Sequence, residues 1–301
     1  MNSIITTNNL TKTYGKTVGL LDLNLDVESG EVFGFLGSNG AGKSTTMRLL
    51  TGFSKPTRGH AEIFGKNTWK NSVDIKKDMG FLPDFPALYE GFTGTELITY
   101  MANLQGKKAS LQNQLIDQLE LAKVDLDRKI KSYSRGMKQK IGIIQALQHD
   151  PSVVILDEPT EGLDPLMQQR FFDIITDCKS RGNTIFFSSH IISEVEKICD
   201  RIGILRKGHL IAVENITTLK EKTIRYMDIT FTKNTEIPVL DLPCITSNQR
   251  KGDGIRIGIK GNINPLIKKL ARSSVKDIVY EEAHLEDIFM DYYQDPTEEK
   301  S

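Results

Sequence analysis

Apolar positions along this chain change their spacing several times, and each change predicts an element. Residues 31–36 (EVFGFL) form a nearly unbroken apolar run followed at once by glycines, which reads as a buried strand. Residues 44–50 then read as a helix, with Gly52 as a stop signal and Pro56 beyond it. From Thr93 to about Ala122 the pattern predicts helix, and Thr93 and Glu96 stand at the spacing of a capping box. Residues 153–156 (VVIL) fit a central parallel strand. Asp164 and Pro165 open a helix that carries Leu166, Phe171, Phe172, Ile175 and Cys178 and ends near Gly182. Residues 184–187 (TIFF) predict another buried strand and residues 191–198 a helix. Residues 202–205 and 210–213 flank Lys207-Gly208 as the arms of a hairpin. Strands alternating with helices predict an α/β core with a mostly parallel sheet.

Near Lys220 the texture shifts. Strands are expected at residues 227–231, 255–259 and 277–280, with helices at 264–272 and 284–293, enough for a small α+β domain. The expected division is residues 1–218 and 219–301, with no internal repeat and no low-complexity segment.

Composition narrows the classes. Hydrophobic residues make up 39% and charged residues 26%, the balance of a globular protein rather than a disordered or membrane-embedded one. Lys+Arg and Asp+Glu both number 39, so no net positive charge recommends nucleic acid as a partner. Cys178, Cys199 and Cys244 are odd in number and fit no metal spacing, which predicts reduced thiols buried as small hydrophobes. The first ten residues lack the pattern of a secretory signal, and no apolar run approaches the ~18 residues of a membrane helix. If the protein serves a membrane, another chain is expected to cross it.

The candidate chemistry begins at Gly37-Ser38-Asn39-Gly40-Ala41-Gly42-Lys43-Ser44, which matches the phosphate-binding loop G-x-x-x-x-G-K-[ST] between a predicted strand and a predicted helix. Glycines let the backbone fold into a nest of N–H groups, and the helix presents its positive end to the same anion. Lys43 is placed to reach the β- and γ-phosphates, and the Ser44 hydroxyl to sit on Mg²⁺. Residues 153–159 (VVILDEP) resemble a Walker B strand, with Asp157 for the magnesium shell and Glu158 to orient or deprotonate water.

With both motifs in place, the first ~215 residues resemble the ABC ATPases. Residues 132–140 (SYSRGMKQK) resemble the signature usually written LSGGQ; Ser134 and Gly136 keep its serine and second glycine, while Tyr133, Arg135 and Met137 depart from its Leu, first Gly and Gln. Gly162-Leu163-Asp164-Pro165 resembles the D-loop, although Asp164 before Pro165 is also good capping chemistry. His190 resembles the switch histidine that contacts the γ-phosphate, and Tyr14 the aromatic that stacks on adenine. Asp84, in Gly80-Phe81-Leu82-Pro83-Asp84, stands where the family has its Q-loop Gln, and its shorter charged side chain is the third candidate metal ligand after Ser44 and Asp157.

The resemblance implies an α/β P-loop ABC ATPase core, with an antiparallel β subdomain and a helical subdomain at about 88–150, followed by a small C-terminal α+β accessory domain. It implies ATP and Mg²⁺ as cofactors. Two such subunits, two copies or this chain with a related one, would pair head-to-tail. ATP on Gly40, Lys43, Ser44 and Thr45 of one would be completed by Ser134 and Gly136 of the other. The pair would dock under a separate transmembrane permease at the cytoplasmic face of the cell membrane. The wording of residues 34–43, the Pro83-Asp84 loop and the ending Leu285-Glu286-Asp287-Ile288-Phe289 resemble bacterial ABC-2-type exporters, with hydrophobic or amphipathic compounds, peptides among them, as cargo. The alternatives are an importer ATPase, for which Gln is expected at position 84, or a soluble non-transport ABC ATPase, for which two cassettes or a long coiled coil are expected.

Overall fold

The computed structural model describes residues 3–222, 224–232, 238 and 240–281. The chain divides into two compact units, Met1–Val213 and Glu214–Ser301. The expected helix at 284–293, with the sequence Leu285 to Phe289 inside it, lies outside the described residues.

In the first unit a six-stranded sheet runs in the order His209–Asn215, Arg201–Arg206, Val32–Leu36, Thr184–Ser189, Val153–Asp157, Met79–Leu82. The pairings from Arg201–Arg206 through to Met79–Leu82 are all parallel. The three strands Val32–Leu36, Thr184–Ser189 and Val153–Asp157 are buried along their whole length, as expected for a parallel sheet covered on both faces. Their aromatic residues lock the register: the Phe186 ring lies 5.6 Å from Phe33 and 5.3 Å from Phe35. That register brings Leu36 level with Ser189 and Asp157 level with Ser188. The polar ends of three apolar strands therefore emerge at one edge, where parallel α/β sheets place their ligands. The outer hairpin turns at Lys207 (φ 49°) and Gly208 (φ 82°), the pair of left-handed residues that a tight two-residue turn requires.

A second sheet is antiparallel, ordered Thr17–Glu28, Ser3–Tyr14, Arg58–Ile63, Lys66–Asn67. Its apolar face, with Ile5, Leu10, Leu20, Leu23, Leu25, Val27 and Ile63, shares one core with Met47, Phe33, Phe35 and Phe186. The helical subdomain lies in sequence between Met79–Leu82 and Val153–Asp157. Thr93 caps it as expected: its hydroxyl accepts from the Glu96 N–H at 3.1 Å, and the Glu96 carboxylate accepts from the Thr93 N–H at 2.7 Å. The stretch from Thr93 to Ala122 is, however, not one helix. It breaks into Gly94–Gln105 and Gln112–Gln118, and a further turn follows at Lys123–Leu126. Gly106 ends the first of them in a left-handed conformation, φ 68°, the usual stop chemistry of a helix C-terminus.

The second unit is α+β. Its antiparallel sheet runs Ile245–Lys251, Gly254–Ile259, Arg225–Phe231, Val275–Tyr280. Met227, Ile229, Ile257, Leu266 and Leu270 lie in its core, the last two from the helix Asn264–Leu270. The strand Ile245–Lys251 and the helix Ile216–Lys222 had no counterpart in the sequence reading. The strand is an edge with one apolar residue in seven, so no alternation announces it.

Phe186 is the ring on which the central register turns. Phe186→Ala is expected to destabilise the protein by about 3–5 kcal/mol, measured as a lower midpoint in chemical denaturation.

Candidate functional site

The strand Val32–Leu36 gives way to the glycine loop, which passes into the helix Lys43–Leu50. Gly42 takes φ 116°, and a Cβ there would lie 2.5 Å from the Gly19 carbonyl oxygen, so the position admits only glycine. Gly40 takes φ 80° and has open space above it. No side chain caps the helix, which leaves its first-turn N–H groups free to face an anion. Lys43 is 6% exposed, and its ammonium donates to the carbonyls of Gly37 (2.5 Å) and Ser38 (3.3 Å), which folds the loop back over its own lysine. Ala41 is buried; its N–H donates to the Ser38 carbonyl, and its own carbonyl accepts from Gly208.

A cleft of about 310 Å³ opens above this loop. Tyr14, Asn39, Gly40, Gly42, Lys43, Ser44, Thr45, Asp84 and Glu158 are among its lining. Tyr14 is half-exposed there with the Lys12 ammonium 5.1 Å from its ring, leaving a face on which a planar group can stack. A neighbouring hollow is bordered by Ser44, Asp84 and Asp157.

The acidic pair stands at the end of the strand Val153–Asp157. Asp157 accepts from the Ser188 hydroxyl at 2.7 Å and borders one hollow with Ser44. Burial pushes its carboxyl above the ordinary value, against the two hydroxyls and Lys43. Glu158 sits in the left-handed region at φ 48°, a conformation that costs a non-glycine residue of order 1 kcal/mol. The twist carries its carboxylate over the lysine: Oε1 lies 3.1 Å from Lys43 Nζ, and Oε2 lies 2.8 Å from His190 Nδ1. Its backbone N–H is held by the Ser188 oxygen at 3.1 Å. Oε1 is buried and accepts no hydrogen bond of good geometry, so a donor at the loop would find an acceptor waiting.

Ser134, Gly136 and Asp164 are not part of the cleft's lining. Ser134 caps the helix Arg135–Leu147 by accepting from Met137 N–H at 3.3 Å, and Asp164 caps Pro165–Ser180 by accepting from Met167 N–H at 3.0 Å. Gly136 packs under the loop between them: a Cβ there would meet the Gly162 carbonyl at 2.7 Å.

Three residues outside the quoted motifs, Ser188, Glu194 and Glu161, hold this arrangement together with Gln139 of the signature stretch. Ser188 bonds both members of the acidic pair. Glu194 accepts from Thr160 at 2.7 Å and from Ser189 at 2.6 Å, tying the loop after Glu158 to the strand end before His190. Gln139, buried, donates to the Pro159 carbonyl at 2.9 Å. Glu161 meets the Asp84 carboxyl and pairs with Arg135 at 2.6 Å. Desolvation, the hydrogen bond to Glu161 and the charges of Glu161, Asp157 and Glu158 push Asp84 up to about 6, while Asp84 and Arg135 hold Glu161 below the ordinary range. Of the two carboxyls, Asp84 is the one whose protonated form the fold favours. Ser188, close before His190, and Gln139, inside the signature stretch, lie next to legible motifs; Glu194 and Glu161 depend on tertiary contact.

Among the described residues no cluster of three or more His, Cys, Asp or Glu side chains forms a metal site. Ser44 and Asp157 stand beside the anion cradle, and this small donor set fits Mg²⁺, which takes one or two protein ligands and fills its shell with phosphate and water.

A cradle of backbone N–H groups with a buried lysine holds polyphosphate, and a carboxylate beside it can direct water onto one. The class so defined is the P-loop ATPases. The family model for ABC transporters matches residues 20–161. The bacitracin transport ATP-binding protein BcrA of Bacillus licheniformis is 36% identical over 303 residues, covering 96% of this chain and 97% of that protein. The lantibiotic transport ATP-binding protein SrtF of Streptococcus pyogenes is 39% identical over 203 residues, covering 67% of this chain and 87% of that protein. A solved ATP-binding subunit of an ABC transporter superposes with a TM-score of 0.67 at 30% identity, over 72% of this chain and 92% of that one. A dimeric ATP-binding cassette with bound ADP and phosphate shares the fold, with a TM-score of 0.63 at 24% identity over 70% of this chain and 98% of that one. This chain belongs to the ATP-binding proteins of the ABC transporter family, and it is an ABC ATPase.

Lys43→Ala removes the one ammonium in the cradle and is expected to weaken ATP binding by about ten- to a hundredfold, read in a nucleotide titration. Asp84 binds its extra proton in the folded state between the ordinary carboxyl value and about 6, so wild-type stability falls as pH rises through that window. Asp84→Asn lacks this loss. Its melting temperature relative to wild type is therefore expected to rise between about pH 4.5 and about pH 7.5.

Proposed function

We propose that this chain is the motor subunit of a peptide exporter. Two ATP-binding subunits, two copies of this chain or this chain with a related one, close head-to-tail over ATP at the cytoplasmic face of the membrane and drive a separate transmembrane permease. The cargo is a hydrophobic or amphipathic compound, and the bacitracin and lantibiotic transport proteins to which the chain is similar favour a peptide.

The observation that carries the reading is the contact of one carboxylate, Glu158, with both Lys43 and His190 at the mouth of the glycine loop. ATP binding gives Lys43 a second anionic partner in its phosphates. Competition for the ammonium loosens Glu158 Oε1 and leaves it to accept a proton from water. Water attacks the γ-phosphorus, its proton passes to Glu158, and the bond from the γ-phosphorus to the bridging oxygen breaks. Lys43 and the N-terminus of the helix Lys43–Leu50 hold the charge left on ADP. Ser44 and Asp157 would hold Mg²⁺, with Asp84 bordering them, and the ion would neutralise phosphate charge. His190 holds Glu158 in its aim. Tyr14 stacks on the adenine.

Ser134 and Gly136 open a helix whose N-terminus lies outside this chain's own cleft, which suits completion of a partner's site. Asp164 lies beside that face as a helix cap. Closure is favoured because ATP binds the closed pair better than the open one. The motion reaches the permease through the segment from Asp84 to Thr93, where Phe85 and Tyr89 stand exposed.

Glu158→Gln keeps the shape of the carboxylate and cannot take the proton. Turnover is expected to fall by about 10²–10⁴ with ATP binding retained, and near wild-type turnover would sink the role given to Glu158. Tagged Glu158→Gln protein recovered from native membranes with ATP and Mg²⁺ is expected to bring an integral membrane protein of several apolar spans. Recovery with ribosomes or DNA and no membrane protein would refute the transporter part of the proposal.

A further inference from the structure

The turn that leads into the helix Ser72–Lys76 carries a surface that the ATP site does not use. Its winding starts before the helix proper: the Asn71 N–H reaches back to the Asn67 carbonyl at 2.9 Å. Thr68 and Ile75 are buried and fix the inner face, and the Thr68 hydroxyl donates to the Leu49 carbonyl at 3.0 Å. Trp69, Lys70, Val73 and Lys77 are left outward, and all of them are exposed. Phe53 borders them. Gly52, just before it, is pressed so closely on the turn that a Cβ would lie 2.5 Å from the Thr68 carbonyl oxygen. The Phe53 ring is itself exposed, with the Lys76 ammonium 4.2 Å from its centre.

Charge on this face is lopsided. Gln105 donates to the carbonyls of Lys76 at 2.8 Å and Lys77 at 3.1 Å, which brings the end of the helix Gly94–Gln105 against the same turn. Lys107 and Lys108 follow it directly, and Lys107 Nζ lies 2.5 Å from Asp78. Residues 66–78 and 105–108 thus hold six lysines against two carboxylates, Asp74 and Asp78. Asp74 is shared between Lys66 and Lys77. An excess of four positive charges is gathered here in a chain whose net charge is zero.

We propose that this face is a membrane contact of the subunit: its lysines bind the headgroups of anionic phospholipids, and Trp69 and Val73 sit at the headgroup boundary. The inference rests on the placement of the subunit at the membrane proposed above. Charge complementarity selects the occupant, because the cytoplasmic leaflet is negative and draws lysines held near its surface. Lysine stems can lie along apolar surface while their ammonium groups reach the phosphates, and a tryptophan ring suits the boundary between water and acyl chain. Direction agrees. The Phe53 ring lies 5.7 Å from Phe81, and the two line one hollow of about 210 Å³ with Pro83 and Pro86. The lysine face therefore adjoins the start of the segment Asp84 to Thr93 through which the permease is driven. A subunit docked by that segment turns this face to the same bilayer.

Trp69 is the only tryptophan in the chain, so its emission reports on this face alone. Full-length protein is titrated, without nucleotide, with vesicles of phosphatidylcholine containing about one-third phosphatidylglycerol, and with phosphatidylcholine alone. The anionic vesicles are expected to shift Trp69 emission to the blue and to bind at least about tenfold more tightly in co-sedimentation than the neutral ones. Salt at about 1 M, where the screening length falls to about 3 Å, is expected to reverse both effects. The double variant Lys70→Gln/Lys108→Gln is expected to lose roughly ten- to twentyfold in affinity for the anionic vesicles, with ATP hydrolysis in solution unchanged. Equal binding to both vesicles, binding without a Trp69 shift, or full affinity in the double variant overturns the proposal. So does a Trp69 that vesicles leave untouched and that only the co-purified permease shields from a soluble quencher, since the face then belongs to protein. Vesicle binding as expected, with no permease recovered from native membranes, would refute the transporter reading and leave this contact standing; a recovered permease with no vesicle binding would do the reverse.

Discussion

Almost every feature of the site follows from the need to bury a lysine next to a glutamate. Lys43 and Glu158 are 6% and 11% exposed in their side chains, and neither charge is tolerable there alone. The lysine folds the glycine loop around itself through the carbonyls of Gly37 and Ser38. The glutamate takes up a left-handed backbone to reach the lysine and then meets His190 with its other oxygen. The pair is only partly satisfied, since Glu158 Oε1 lacks a well-formed hydrogen bond. A fully satisfied pair would be a structural fixture. An incomplete one is a contact that a polyphosphate can take over, and the site can therefore change state when one enters.

Around that pair, contacts of ordinary strength set direction. Ser188 bridges Asp157 and the Glu158 backbone and so holds the two adjacent acidic residues in one arrangement. Glu194 and Gln139 fasten the next few residues to the His190 strand end and to the signature helix. These hydrogen bonds are modest one by one. Together they make the segment from Glu158 to Asp164 a rigid strap joining parts of the chain that the sequence separates widely.

How far the sequence could be read depended on whether the relevant physics was local. The glycine loop, the apolar strands ending in Leu36 and Asp157, the capping box at Thr93 and the hairpin at Lys207-Gly208 each declare themselves within a few residues. The break at Gly106 was equally local but was outweighed by the apolar pattern on both sides of it. The edge strand Ile245–Lys251 could not be seen, because its stabilising partner is backbone rather than a hydrophobic face. Glu161 was silent for a different reason. An acidic residue on a loop is unremarkable until the fold brings Asp84 and Arg135 to it.

The strand Met79–Leu82 has a mechanical consequence. It is four residues long, lies at the margin of the sheet and, among the described residues, is paired on one side only, with Val153–Asp157. The chain leaves it directly for Pro83 and Asp84. Torque arriving through that segment meets a narrow selvedge, whereas the interior strands that lead to Lys43, Glu158 and His190 are knitted to neighbours on both sides. The sheet can therefore behave as a stiff frame with one compliant border, and a load applied at the border can be borne there without distorting the frame that holds the nucleotide.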